Sequence, residues 1–134
     1  MKAKLTVEEK RARELKTMRF RVVGRRLLPV HGLKRWGRRT HEVLGYTRDE
    51  FVDWIDAKLE PGMIWTDCGK TFHVDHIVPV AEFVRRGITD PKIVCALVNL
   101  RPITPTANLA KKAEYTGDFE ADLANILAFI EERA

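Results

Sequence analysis

Four polar side chains in the middle of the sequence have types that could act together in hydrolysis. They are Asp75, His76, Asn99 and Asn108. An imidazole takes a proton from water near neutral pH, and a carboxylate with an amide oxygen can hold one hard divalent ion. Such an ion keeps coordination positions for water and for a phosphate. Brought together, side chains of these types supply what the hydrolysis of a phosphodiester requires.

The elements around these residues are predicted to bring them together. Residues 71–76 are rich in β-branched and aromatic side chains, which predicts a strand that the chain leaves near Pro79. A second strand is predicted within residues 94–103, centred on Asn99. Thr104, as an N-cap before a proline, predicts the start of a helix that carries Asn108 and runs to about residue 113.

The position of each side chain on these elements restricts how the site can form. In a regular strand Asp75 and His76 face opposite sides, so they can share a site only where the strand ends and turns into a loop. On the helix, Asn108 is followed at i+3 and i+4 by Lys111 and Lys112. Two ammonium groups are therefore expected close to the amide.

These segments resemble small HNH endonucleases of the ββα-metal, or His-Me finger, superfamily, of the kind found in phages and mobile elements. The resemblance rests on residues 72–79, 98–103 and 108–112, with further likeness at 44–47 and 62–65. It extends over about residues 40–113. It implies an α+β fold in which a ββα-metal core is flanked by helices and preceded by a basic helical arm.

The resemblance also implies a role for each matching residue. His76 matches the general base, Asp75 and Asn108 match the two protein ligands of one metal ion, and Asn99 matches the middle residue that orients the histidine. It implies in-line hydrolysis leaving a 5′-phosphate. Asparagine rather than histidine at the third position favours Mg or Mn, with Ni or Zn as alternatives. His73 shares a strand face with Asp75 and could join the site, although a hydrogen-bonded strand histidine is the favoured interpretation.

The charge of the chain is distributed unevenly. Residues 1–48 hold 15 Lys and Arg against four Glu, a net charge of +11, and residues 49–134 hold nine Lys and Arg against 15 Asp and Glu, a net charge of −6. The basic part predicts a polyanionic partner, most simply DNA. We therefore expect a DNA-binding helical arm over residues 1–46 and a nuclease domain over residues 47–134. The expected DNA contacts are Arg35, Arg38, Arg39, Arg101, Lys111 and Lys112.

Capping and periodicity predict the remaining elements. Capping boxes at residues 6–9 and 47–50 predict helices over about 7–28 and over about 48–59. Residues 63–65 suggest a short strand, residues 80–86 a short helix, and residues 118–133 an amphipathic helix.

Cysteine usage and hydropathy indicate the setting of the protein. Cys68 and Cys95 form no C-x-x-C pair, which argues against a zinc ribbon. The chain starts without an apolar signal segment and has no apolar run of transmembrane length. We expect no membrane partner and a reducing cytoplasm, that of the host cell for a phage protein.

Two other functions fit parts of the sequence. The basic arm alone suits a non-catalytic nucleic-acid-binding protein, and the acidic C-terminal helix suits an accessory protein of a phage packaging or mobility complex. The oligomeric state stays open between monomer and homodimer, because the apolar stripe of the last helix could cover the core or form a dimer seam.

Overall fold

The structure is a computed structural model of the chain and describes residues 4–15, 42–65, 70–111 and 115–133. Its elements in chain order are α1 (Arg48–Ala57), β1 (His73–His76), α2 (Val80–Arg85), α3 (Pro91–Val94), a 3-10 helix (Leu97–Asn99), β2 (Leu100–Ile103), α4 (Pro105–Lys111) and α5 (Phe119–Arg133). Residues 7–15 are also helical. The predicted α+β class is confirmed for these residues, and no helix among them is long and apolar enough to cross a membrane.

Helix α1 begins at the capping box that the sequence predicts. The Thr47 hydroxyl accepts a hydrogen bond from the Glu50 amide at 3.1 Å, and the Glu50 carboxylate accepts one from the Thr47 amide at 3.1 Å. The bond from the Thr47 backbone is the main reason that the pKa of Glu50 is lowered. The charged carboxylate therefore stabilises the helix at neutral pH, and this contribution is lost as the pH falls through the lowered pKa.

Replacing Thr47 with alanine is expected to lower the free energy of unfolding by about 1 kcal/mol, because the first turn of α1 loses its side-chain acceptor. Urea denaturation followed by circular dichroism measures the change. Thr89→Ala, at an exposed loop position, is the matched control and should stay within about 0.5 kcal/mol of the wild type. Equal stability of the two variants would show that the cap is dispensable.

Strands β1 and β2 form a two-stranded antiparallel sheet. The cross-strand partners are His73 with Ile103, Val74 with Pro102, Asp75 with Arg101, and His76 with Leu100. Just beyond the strands, the Ile77 amide donates to the Asn99 carbonyl at 2.8 Å. This bond continues the ladder by one further pair.

The register also fixes which backbone groups of β2 point out of the sheet. Because Ile77 and Asn99 are a hydrogen-bonding pair, Leu100 and Pro102 occupy non-hydrogen-bonded positions, whose backbone groups face outwards. The outward Leu100 carbonyl accepts a hydrogen bond from the Trp54 indole at 3.1 Å. Pro102 has no N–H to present. Helix α1 thus covers the outer edge of β2 at its beginning.

Two apolar clusters lie on either side of the segment that leads into β2. The first contains Cys95 and Leu97 together with side chains of α1, and the second contains Val94 and Ala96 together with side chains of α2 and α5. Alternate residues of the segment are therefore buried in opposite directions. This arrangement fixes the backbone immediately before β2, and with it the position of Asn99.

Three local expectations differ from the structure. The strand expected at residues 63–65 is wrong, because Met63 and Trp65 are buried as parts of a loop, where the Trp65 indole donates to Asp56 at 2.8 Å. Strand β2 starts at Leu100 and is not centred on Asn99, since a 3-10 turn precedes it. Helix α3 was not expected, although an Asp90 cap and a proline at its first turn mark its start.

The other helices agree with expectation within the described ranges. Helices α1, α2 and α5 are confirmed, and α4 begins at Pro105 and is described to Lys111. The N-terminal helix is confirmed over residues 7–15, and the rest of its predicted span lies outside the described residues. The division of the chain at residue 46 remains a prediction, although Leu44 and Tyr46 are buried in the same cluster as Phe51 of α1.

Candidate active site

A cavity of about 280 Å³, open to solvent, lies between the end of β1 and helix α4. Its polar wall consists of Asp75, His76, Asn108 and Lys111, and its apolar wall of Val74, Pro79 and Val80. Asp75 and His76 both line this cavity, although they are adjacent in the strand and both are paired in the regular register. The structure thus brings three of the four predicted centre residues to one cavity.

The Asp75 carboxylate is the most heavily paired group of the cavity. Its Oδ2 atom lies 2.8 Å from Lys111 Nζ and 3.3 Å from Arg101 Nε. Within the described part of the chain, its Oδ1 atom makes no hydrogen bond. The three charged groups carry a net charge of +1, which favours an anionic ligand.

His76 lies between the cavity and the core. Its Nε2 atom is 3.6 Å from the Sγ atom of Cys95, which is completely buried. Burial raises the pKa of the Cys95 thiol, so the sulfur is uncharged at neutral pH. One edge of the imidazole thus packs against the neutral, buried thiol of Cys95, and this contact restricts the rotation of the ring.

Asn99 lies beneath the loop that follows His76 and is only 2% exposed. Its Oδ1 atom accepts a hydrogen bond from the Val78 amide at 2.8 Å, and its Nδ2 atom donates to the Val78 carbonyl at 3.2 Å and to the Val94 carbonyl at 2.9 Å. Both N–H groups of the amide are therefore used by backbone carbonyls. Asn99 holds the loop after β1 against the end of α3, and so fixes the backbone on which His76 is carried.

Asn108 is exposed on α4 and faces the cavity opposite the strand. Its backbone amide donates to the Thr104 carbonyl at 2.9 Å, within the helix start. Its side chain makes no hydrogen bond to a described residue. Asn108 and Asp75, each with a side-chain oxygen that no described residue binds, thus line one cavity.

No family model matches the chain, and no solved structure does. The chain is 24% identical over 120 residues to an uncharacterized protein of Acanthamoeba polyphaga mimivirus. The match covers 87% of this chain and 52% of the viral protein, so the chain spans about half the length of that relative.

The remaining predicted site residues are placed as follows. Arg101 is half-buried beside Asp75. The three N–H donors of Lys111 are directed at oxygens of the protein. Lys111 would therefore have to break these hydrogen bonds to contact a phosphate. His73 is half-buried opposite Ile103 and does not line the cavity. The residues outside the described part of the chain are Arg35, Arg38, Arg39 and Lys112.

A metal site made of histidine, cysteine and carboxylates is not present in the described ranges, where no three such side chains are arranged to hold an ion. The predicted ligands, one carboxylate and one amide, are a set of a different kind. They are hard oxygen donors, which Mg²⁺ and Mn²⁺ prefer, and the cavity leaves space for water beside them.

Two features of the cavity were not predicted. Cys95 is 19 residues from His76, and its contact with the ring depends on how α3 packs, which no local pattern reports. The internal bonds of Lys111 were missed because its position after Asn108 indicates only that it lies on the same side of the helix. The position of Cys95 within the apolar stretch 93–98 is the one sequence signal that could have drawn attention to this contact.

The buried thiol gives a direct test of this part of the site. In a Cys68→Ser background, Cys95 is expected to react with a disulfide reagent far more slowly in the folded protein than in guanidinium, because the thiol is enclosed and uncharged. Absorbance of the released thiolate measures the two rates. Equal rates would show that the thiol is accessible and that the Cys95–His76 contact does not persist in solution.

Proposed function

We propose that this chain is a metal-dependent endonuclease of the HNH type that hydrolyses phosphodiester bonds in DNA. The observation that carries the proposal is the shared cavity of Asp75, His76 and Asn108 at the junction of a two-stranded sheet and a helix. Chain order supports it as well, because the strand, strand and helix follow one another in the arrangement that the resemblance implies. The finer assignment of the fold as a ββα-metal core belongs to the same proposal.

Asp75 and Asn108 are the residues that would hold a single divalent ion. Each has a side-chain oxygen that no described residue binds, and both residues line the same cavity. When bound, the ion would neutralise charge on the phosphate and on the leaving oxygen. Mg or Mn is expected first, since both favour oxygen ligands.

His76 acts as the general base in the proposed reaction. His76 lines the cavity, and its ring is proposed to accept the proton of the water molecule that attacks phosphorus. Cys95 and the backbone held by Asn99 restrict the ring and the loop that carries it. A ring held in place before substrate binds loses little entropy in the reaction.

Positive charge brings the DNA backbone to this site. Arg101 is partly exposed beside Asp75, and the basic residues of the N-terminal part would extend the contact. Contacts of this kind depend on phosphates rather than on bases, so we expect weak sequence preference from the cavity itself.

The proposal is tested by incubating supercoiled plasmid with the purified protein and Mg²⁺, Mn²⁺, Ni²⁺ or Zn²⁺. We expect nicked or linear product with at least one of the four metals, and intact plasmid with a chelator. Asp75→Asn protein, purified in the same way, controls for contaminating nucleases and should be inactive. Folded wild-type protein that leaves the plasmid intact in all four metals overturns the proposal.

A non-catalytic nucleic-acid-binding protein is the second candidate. The net charge of +11 over residues 1–48 favours it, as does the pairing of Asp75 with two cations. Such a protein would bind DNA with a steep dependence on salt and would be indifferent to a chelator. Comparing DNA affinity and plasmid cleavage with and without chelator separates the two candidates.

A further inference from the structure

Helix α4 carries the proposed ligand Asn108 but is not held by the apolar core. None of its seven residues is buried, and the side chain of Leu109 is 70% exposed. Short helices obtain most of their stability from tertiary packing of an apolar face, and α4 has no such face over residues 105–111, the part that the structure describes. Some other contact must keep Asn108 opposite Asp75.

Lys111 supplies that contact. It lies one turn after Asn108, and its side chain is only 16% exposed, which is unusual for a lysine. The ammonium group is 2.8 Å from Asp75 Oδ2, 2.6 Å from the carbonyl oxygen of His76 and 3.3 Å from that of Ile77. Its three N–H donors thus bind three oxygens at the end of β1. Charge-assisted bonds of this kind are among the stronger hydrogen bonds in proteins.

We propose that Lys111 is a positioning residue that docks α4 on the end of β1 and so sets the distance between Asn108 and Asp75. The inference rests on the proposed function for the role of these two ligands. Because Lys111 binds Oδ2, it also orients the carboxylate so that Oδ1 is the atom left for an ion. Lys111 therefore acts on both proposed ligands. It acts on Asp75 through a hydrogen bond and on Asn108 through the helix that both residues share.

The alternative role for a lysine here is that of a competing cation. An ammonium group close to Asp75 repels a divalent ion, and its removal would then strengthen metal binding. Docking predicts that removal of Lys111 weakens metal binding. Without its contact the helix that carries Asn108 must be ordered when the ion binds, which costs free energy. The sign of the change in metal affinity therefore separates docking from competition.

The test is a titration of the full-length protein with Mn²⁺ alone, read by the electron paramagnetic resonance signal of the free ion. Lys111→Met is expected to bind Mn²⁺ about 10-fold to 100-fold more weakly than the wild type, the range usual for partners of metal ligands. Arg101→Met is the matched control, since it also removes a cation from Asp75 but lies on β2 rather than on α4. It should bind Mn²⁺ as tightly as the wild type or more tightly. Equal or tighter binding by Lys111→Met overturns the proposal.

Hydrogen exchange gives a readout that a general loss of stability does not mimic. In Lys111→Met, peptides covering residues 104–111 should exchange faster, while those of α1 and α5 keep wild-type protection. Arg101→Met should show no such local change. Faster exchange throughout the chain, or unchanged exchange in α4, contradicts a docking role.

Chemical rescue tests the ammonium group itself. In a Cys68→Ser background, Lys111→Cys can be treated in the folded state with bromoethylamine, which forms a thioether and restores an ammonium at nearly the same distance from the backbone. Cys95 is buried and should stay unmodified, which mass spectrometry checks. Recovery of Mn²⁺ affinity and of α4 protection supports the proposal, and modification without recovery overturns it.

The wild-type protein provides a measurement that needs no variant. With its three donors in hydrogen bonds and little exposure, the Lys111 ammonium should exchange slowly enough with water to be seen in ¹⁵N NMR of lysine side chains. Finding only rapidly exchanging lysine ammonium groups overturns the proposal. None of these readouts requires DNA, so the two proposals can fail separately. If the Lys111 variants change as expected but the wild-type protein does not cleave DNA, the proposed nuclease alone is refuted. If the wild-type protein cleaves DNA but the Lys111 variants do not change as expected, the docking role alone is refuted.

Discussion

Replacing His76 with alanine is expected to lower the rate of DNA cleavage by about 10²-fold to 10⁴-fold, the usual contribution of a general base. DNA affinity and Mn²⁺ affinity should change little, since the proposed ligands of the ion are Asp75 and Asn108. The shortened side chain leaves space next to the cavity, so added imidazole should restore part of the activity. Single-turnover cleavage of a labelled duplex, with and without imidazole, measures both effects.

His73→Ala is the matched control for this prediction. His73 lies on the same strand as His76, and its replacement with alanine removes the same kind of ring, but His73 does not line the cavity. Its cleavage rate should stay within about threefold of the wild type, a difference of less than 1 kcal/mol. A His76→Ala protein that cleaves at the rate of the His73→Ala protein would remove His76 from the proposed mechanism.

Replacing Asn99 with alanine is expected to lower the free energy of unfolding by about 3–5 kcal/mol. The substitution removes partners from the amide and carbonyl of Val78 and from the carbonyl of Val94, and each unpaired buried group costs about 1–3 kcal/mol. Val78 and Val94 are 1% and 3% exposed, so water cannot easily replace the lost bonds. Chemical denaturation at neutral pH measures the loss.

Asn108→Ala provides the same chemical change at an exposed position. Its side chain has no hydrogen-bond partner among the described residues, so the free energy of unfolding should change by no more than about 0.5 kcal/mol. Its Mn²⁺ affinity, by contrast, should fall, because the side chain is a proposed ligand. Similar destabilisation by the two substitutions would mean that Asn99 does not hold the loop as the structure describes.

Local signals in the sequence were sufficient for most elements. A capping box predicts α1, an apolar stripe predicts α5, and Thr104 before a proline predicts the start of α4. These patterns report short-range physics, in which a side chain satisfies a backbone group within a few residues. The order of strands and helix around Asp75 followed from the same signals.

Contacts between distant residues were not predictable in this way. The resemblance implies that Asn99 orients the histidine. The hydrogen bonds of its amide to the backbone of Val78 and Val94 depend on how the segment before β2 is packed between two apolar clusters. Lys111 was expected at a phosphate, and its bonds to the end of β1 depend on the angle between helix and sheet. Sequence spacing fixes the side of an element on which a residue lies and leaves its partner undetermined.

The outer edge of β2 has a consequence for association between molecules. Two of its outward positions are closed to an added strand, because the Leu100 carbonyl already accepts the Trp54 indole and Pro102 has no N–H to donate. Edges of this kind resist the strand-to-strand pairing that leads to swapped dimers and fibres. Pro102 is also buried, so packing as well as the missing amide proton keeps a strand of a second molecule from this position.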